Sequence, residues 1–191
     1  SDVDAFESRH NTVLALVATH AAEDKADEVA GALRNVRDAV VAVLTDNPVL
    51  RAPSVAAQFE AVGASKWLGQ DEFLAHESLH TIVGGMTLPN PLPHLQREST
   101  VIVPADRLDL LPGLLMAHRS PHYGPLSALV LTGGFEIPES VAKLFMDSTI
   151  DLPIAVTQGD TFSTAVTLQG VRGTSTSSPR KIEVSRALFS Q

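Results

Sequence analysis

The chain has 191 residues, 44% of them hydrophobic, a net charge of −8 and no cysteine. That is enough apolar material for a packed core in one large domain or two small ones. The acidic balance argues against sequence-independent nucleic-acid binding, the missing cysteines exclude disulfides and thiolate chemistry, and no apolar stretch approaches the roughly 20 residues that span a bilayer.

The opening SDVDAFESRH is polar and acidic, unlike a signal peptide, so a soluble cytoplasmic protein is expected. TVLALVAT (12–19) is a short apolar run that predicts a buried strand. A helix follows, with Ala26, Val29, Leu33 and Val36 on one stripe. AVVAVLTD (39–46) predicts a second strand, NPVLRAPS a loop, and VAAQFEAVGA a helix ended by Gly63. The polar SKWLGQDEF then suggests a division, with one domain over 1–70 and another over 71–191.

DEFLAHESLH reads as a helix, TIVGGM as a short strand, and LPNPLPHLQREST as a connector with at most one helical turn. TVIVPAD (100–106) predicts a strand and RLDLLPGLLMAHRS a helix that Pro112 and Gly113 should kink. SALVLTGG predicts a strand and PESVAKLFMDS a helix, with Ile137, Val141, Leu144 and Phe145 aligned. LPIAVTQGD predicts a strand, TFSTAVTLQGV a helix and RGTSTSSPR a loop. Ser178-Pro179 supplies an N-cap and first helical position for RKIEVSRALFSQ. Alternating strands and helices predict an α/β fold with a mainly parallel sheet flanked by helices. The chain opens almost at once on a buried strand and stops inside an amphipathic helix, as expected of a piece of a longer protein.

Two sets of residues could carry chemistry. HESLH, His76 to His80, matches H-E-x-x-H, in which two histidines one helical turn apart bind zinc and the glutamate is the base. The third ligand is missing: Met86 stands where a metzincin has its third histidine, and Glu98 lies beyond a strand and a proline-rich connector. A solvated helix face is the preferred reading, and a zinc hydrolase using His76, Glu77 and His80 is the alternative. No Walker A, dinucleotide-binding or nucleophile-elbow motif occurs anywhere in the sequence.

The other set is a constellation. Three predicted strands end in polar residues: Asp106-Arg107, Thr132-Gly133-Gly134, and Thr157 through Asp160-Thr161. In a parallel sheet these ends share one edge, where ligands usually sit. Asp106, Glu136 and Asp160 would repel a phosphate there, so a strong anion cradle is not expected. Caps at Asp106 and Asp160 and a tight turn at the glycines are the simpler roles. Arg172, ahead of the Ser/Thr-rich loop, is expected to be exposed.

These segments also carry a family resemblance. PADRLDLLPGLLMAH, LVLTGGFEIPESV and LPIAVTQGDTFSTAVTLQGVRG together resemble the DRTGG domain region of the long form of bacterial phosphate acetyltransferase. The upstream DNPVLRAPSVAAQFEAVGA and IVGGM are similar to what precedes that domain, and RKIEVSRALF to its linker. The resemblance implies a first part, 1–70, that is the end of a dethiobiotin-synthetase-like P-loop domain without its P-loop, then the DRTGG domain. It implies no catalytic residue and no cofactor here. It implies a role in homo-oligomer assembly and regulation by a small metabolite, with the protein's own acetyltransferase domain as partner. The ligand-binding positions it points to are Asp106, Arg107, Thr132, Gly133, Gly134, Thr157, Asp160, Thr161 and Arg172. Two positions depart from the pattern: Ala105 replaces a glycine, and Pro112 falls in a helix that is normally continuous.

Overall fold

The computed structural model describes Val3 and residues 12–36, 39–145, 148–173 and 178–189. The chain divides into two compact units, one of Ser1–Pro48 with Ile182–Gln191, the other of Val49–Lys181.

In the first unit, β1 (Ala15–Ala21) and β2 (Val40–Thr45) pair in parallel, connected through α1 (Ala26–Val36). The buried strand expected over 12–19 begins three residues later, because its pairing register starts at Ala15 opposite Val40, and its residues are exposed or half-buried instead of buried. Ala26, Val29 and Leu33 are half-buried, as the stripe predicted, while Val36 is exposed.

The second unit carries the functional candidates. It begins with the one-turn α2 (Pro48–Arg51) and with α3 (Val55–Ala61), whose N-cap Ser54 accepts the Ala57 N–H at 3.2 Å. Gly63 ends α3 at φ +57°, a left-handed conformation that costs glycine nothing. Five strands follow: β3 (Ser65–Leu68), β4 (His80–Val83), β5 (Ser99–Pro104), β6 (Ala128–Thr132) and β7 (Ile154–Val156). Their order in the sheet is β3-β7-β6-β5-β4, with β4 to β7 all parallel and β3 antiparallel at the edge. The division expected after residue 70 therefore falls inside this unit, since β3 is hydrogen-bonded into the same sheet.

Side chains that alternate along the central strands feed two cores. Val101, Val103, Leu129 and Leu131 pack on one face with Leu111 and Leu114 of α4 (Leu111–Arg119). Ile102, Ala128 and Val130 pack on the other with Val55 and Phe59 of α3 and Leu168 of α6 (Thr161–Gly170). A sheet covered on both faces explains why β5 and β6 read as continuous apolar runs instead of alternating ones.

Three expectations are corrected here. The helix over DEFLAHESLH is a short 3-10 turn, Asp71–Ala75, after which the chain extends: Glu77 bridges Ser54, and His80 opens β4 opposite Ser99. Pro112 does not kink its helix. The expected element splits into a 3-10 turn, Leu108–Leu110, and α4, and Pro112 sits in the first turn of α4, where no amide donor is needed. The helix over PESVAKLFMDS shrinks to one turn, α5 (Glu139–Ala142). Ile137, Val141 and Phe145 still reach the core, whereas Leu144 is exposed. The last helix, α7 (Pro179–Phe189), begins at Pro179 as expected.

Candidate functional site

Because β4 to β7 run the same way, the turns leaving them lie along one rim. Pro104 is opposite Thr132, and Leu131 opposite Val156. The rim therefore brings together Asp106, Arg107, Thr132, Gly133, Gly134, Thr157, Asp160 and Thr161, as the constellation required. Arg172 is not among them. The ten-residue α6 starts on the rim and carries the chain about 15 Å back along the sheet. Arg172 lies past its end and donates from Nη1 to the carbonyls of Gln169 at 2.7 Å and Val171 at 3.3 Å.

The rim is knitted to itself. Gly133 and Gly134 take φ values of +94° and +64°, which aim their amides sideways. The Gly133 N–H donates to Gly159 O at 2.8 Å and the Gly134 N–H to Thr157 O at 3.0 Å. The hydroxyls of Thr132 and Thr161 are 2.7 Å apart, and the Thr157 hydroxyl donates to Val62 O at 2.6 Å. Both glycine amides are thus committed to the next turn, and neither points at a free anion.

The charges behave alike. Arg107 grips both carboxylate oxygens of Asp109, each at 3.0 Å, and donates to Gly85 O at 2.9 Å. That bidentate bond holds its guanidinium above the ordinary arginine range and Asp109 below the ordinary carboxylate range. Asp160 caps α6: its Oδ1 accepts the Ser163 N–H at 2.9 Å, which lowers its pKa. Asp106 makes no such cap; Arg107 holds the N-cap position of the following 3-10 turn, and Asp106 is exposed. Ala105 is buried and outside the positive-φ region, so alanine is accommodated there without backbone strain. What the rim shows to solvent is acidic and aromatic: Asp106, Asp160, Phe135 and Phe162.

The opposite edge of the sheet holds the chain's other concentration of polar groups, which the sequence did not reveal. A cavity of about 500 Å³ is lined there by His76, Glu77, Glu98, Leu126, Pro179 and Arg180, among others. A smaller one of about 140 Å³ shares Glu77 and adds Arg172 and Lys181. Arg180 pairs with Glu98 at 2.6 and 3.2 Å. Lys181 is buried and donates to Ala52 O at 2.6 Å, and desolvation lowers its pKa despite the attraction of Glu77. His76 and Glu77 reach this cavity; His80, on the first residue of β4, does not line it. Since 76–80 is not helical, the two imidazoles do not stack one turn apart, and the described residues contain no group of three or more His, Asp or Glu placed to hold a metal ion. Only the pairing of Ser178-Pro179 with an N-terminal turn hinted that Arg180 and Lys181 would be fixed in place.

A mostly parallel sheet with a core on each face, whose polar turns interlock along one rim, defines an α/β domain of the doubly wound kind. Residues 59–171 match the model of the DRTGG domain, and the chain belongs to that family. Its sequence is 33% identical over 131 residues to phosphate acetyltransferase from Nitratidesulfovibrio vulgaris and 30% identical over 114 residues to that of Synechocystis. Those matches take in 65% and 59% of this chain but only 19% and 16% of the relatives, so the chain spans about a fifth of their length. Its fold is similar, with a TM-score of 0.50 at 12% identity, to the CBS and DRTGG domains of the regulatory region of Clostridium perfringens pyrophosphatase, a structure complexed with the activator diadenosine tetraphosphate. That likeness covers 95% of this chain and 88% of the other. Among the described residues no helix is long and apolar enough to cross a membrane.

Proposed function

We propose that this chain is a non-catalytic regulatory and assembly region of a phosphate acetyltransferase, with acetyl transfer carried by a separate domain of the same protein. The observation that carries the reading is the rim: the residues of the family pattern other than Arg172 converge there, yet the amides of Gly133 and Gly134 and the guanidinium of Arg107 are already hydrogen-bonded to neighbouring groups. A site for phosphate chemistry needs donors aimed at the reacting group. This rim supports contact with an effector or a partner instead.

The exposed groups suggest which face an effector presents. Phe135 and Phe162 adjoin the Thr132–Thr161 hydrogen bond in sequence, and Asp106 and Asp160 flank them as acceptors. Aromatic faces with carboxylates suit the base of a nucleotide better than its phosphates. The pyrophosphatase relative with its nucleotide activator makes nucleotides the first class to test. The parallel β1-α1-β2 arrangement is what the end of a P-loop-type domain would look like, and we assign residues before 49 to such a domain. Phe162 and Val166, one turn apart on α6 and both exposed, are our candidates for a homo-oligomer contact.

Purified chain should not exchange acetyl groups between acetyl-CoA and phosphate; turnover in a clean preparation refutes the non-catalytic assignment. A thermal-shift panel of adenine nucleotides, pyruvate and related metabolites tests sensing, since any ligand of the folded state stabilises it. Stabilisation by a nucleotide that is lost in Asp106→Asn or Phe162→Ala supports the rim. No stabilisation by any member, or stabilisation unchanged in both variants, removes it.

A further inference from the structure

The cavity on the edge opposite the rim contains a buried carboxylate with one oxygen that no hydrogen bond reaches, although Arg180 and Lys181 both attract its charge. Glu77 is 5% exposed, and its Oε1 has no hydrogen-bond partner. Buried carboxylate oxygens almost always have one. The nearest guanidinium, Arg180, is 3.9 Å from Oε2 and is already bonded twice to Glu98. Lys181 lies toward the smaller cavity, where its ammonium donates to Ala52 O. On the side of the larger cavity the ionisable lining is Glu72, Glu77 and Glu98 against Arg180, with His76 beside them.

A second irregularity sits at the same place. Glu98 has φ +57°, one of only two non-glycine residues in the left-handed region among the described residues. Its backbone is pinned on both sides: its N–H donates to Pro125 O at 2.7 Å, and its carbonyl accepts the Leu79 N–H at 2.7 Å. Strained backbone held in this way gathers at binding sites. Apart from Ser178, the rest of the wall is apolar, from Ala75, Pro125, Leu126 and Pro179.

We infer that this cavity binds a small organic cation, an amidine, guanidine or primary amine on an apolar body, with Glu77 as its counter-ion. The terminal torsion of a glutamate has no sharp staggered wells, so Oε1 can turn toward the larger cavity without disturbing the backbone bridge to Ser54. The cationic head then receives Oε1, and the body lies against Pro125, Leu126 and Pro179. Glu98 stays with Arg180, which ties the site to the first turn of α7.

The probe is benzamidine, titrated calorimetrically into the chain at low ionic strength, with benzoate as the same shape carrying the opposite charge. Saturable binding of benzamidine and none of benzoate is expected. Glu77→Gln, which keeps the shape and removes the charge, should weaken it at least about tenfold. Ala75→Trp, at an exposed position on the wall, should block it without touching any charge. No saturable binding up to about 10 mM, equal binding of benzoate, or undiminished binding by Glu77→Gln overturns the inference. Should Glu77→Gln not fold, full binding by Ala75→Trp overturns it and loss of binding supports it.

Discussion

Replacing the two glycines of the TGG turn by alanine separates a structural turn from an anion cradle. At Gly134 a new Cβ would collide with Oε1 of Gln158, the tip of an exposed side chain that can swing away. What remains is the left-handed backbone at φ +64°, which costs an L-residue roughly 1–2 kcal/mol. Alanine also stiffens the unfolded chain, which returns about 0.4–1 kcal/mol, so Gly134→Ala should lose about 1 kcal/mol. At Gly133, φ is +94°, outside the left-handed well, and the Cβ would stand 2.7 Å from Cε2 of Phe135. Strain of that kind reaches about 3 kcal/mol, so Gly133→Ala should lose about 2 kcal/mol. Trp67 is the chain's one tryptophan and packs edge-to-face on Phe145, 6.0 Å between ring centres, within the five-stranded unit. Its fluorescence during guanidinium unfolding therefore reads that unit without interference from the other. Inorganic phosphate should stabilise neither variant nor parent, because both amides are already used. Gly133→Ala as stable as the parent, or milder than Gly134→Ala, refutes the strain argument. Stabilisation of the parent by phosphate that disappears in the variants refutes the turn.

Three further outcomes follow from the same bonds. His118 accepts the Leu126 N–H at Nδ1, 2.9 Å, and burial holds its pKa below the ordinary 6.5 despite Asp151 nearby. The unfolded chain then binds the proton more readily, so this contribution is complete above pH 6.5 and is lost as pH falls through the folded value; pH-dependent unfolding read at Trp67 should lose that slope in His118→Gln, and an unchanged slope refutes it. Thr132→Val or Thr161→Val alone should each cost about 1 kcal/mol by stranding the other hydroxyl, and the double variant less than the sum; a coupling energy of zero in the four-member cycle would dispose of that bond. Lys181→Met should cost roughly 1–3 kcal/mol because it strands the Ala52 carbonyl in a buried setting, whereas Arg180→Met, at a half-exposed pair, should cost about 1 kcal/mol or less; hydrogen exchange at the start of α7 checks the order, and the reverse ranking counts against it.

Much of the rim was legible without coordinates. Short apolar runs marked β5, β6 and β7 as strands, and the helical segments between them pointed to mainly parallel pairing. Parallel pairing alone places the polar residues after those strands on one edge, because every strand must point the same way. The Asp160 cap and the start of α7 at Pro179 depend on contacts within a few residues; the cap formed and the helix begins at Pro179 as read.

Other features could not be read in this way. HESLH has a helical pattern by spacing, yet His80 pairs across the sheet with Ser99, and a ladder closed with residue 99 outweighs a local preference at residue 80. Lys66 and Trp67 sit in a strand that looked like a linker, since an antiparallel edge strand needs one apolar face only. The cavity around Glu77 draws on residues near positions 77, 98, 125 and 180, separations at which side-chain spacing carries no information. Periodicity and turn chemistry act over one or two turns of chain, so sequence by itself determined the central strands, the Asp160 cap and the shared direction of the rim. Which distant charges meet, and which buried carboxylate oxygen is left without a hydrogen bond, was decided only by the tertiary packing of residues far apart in the chain.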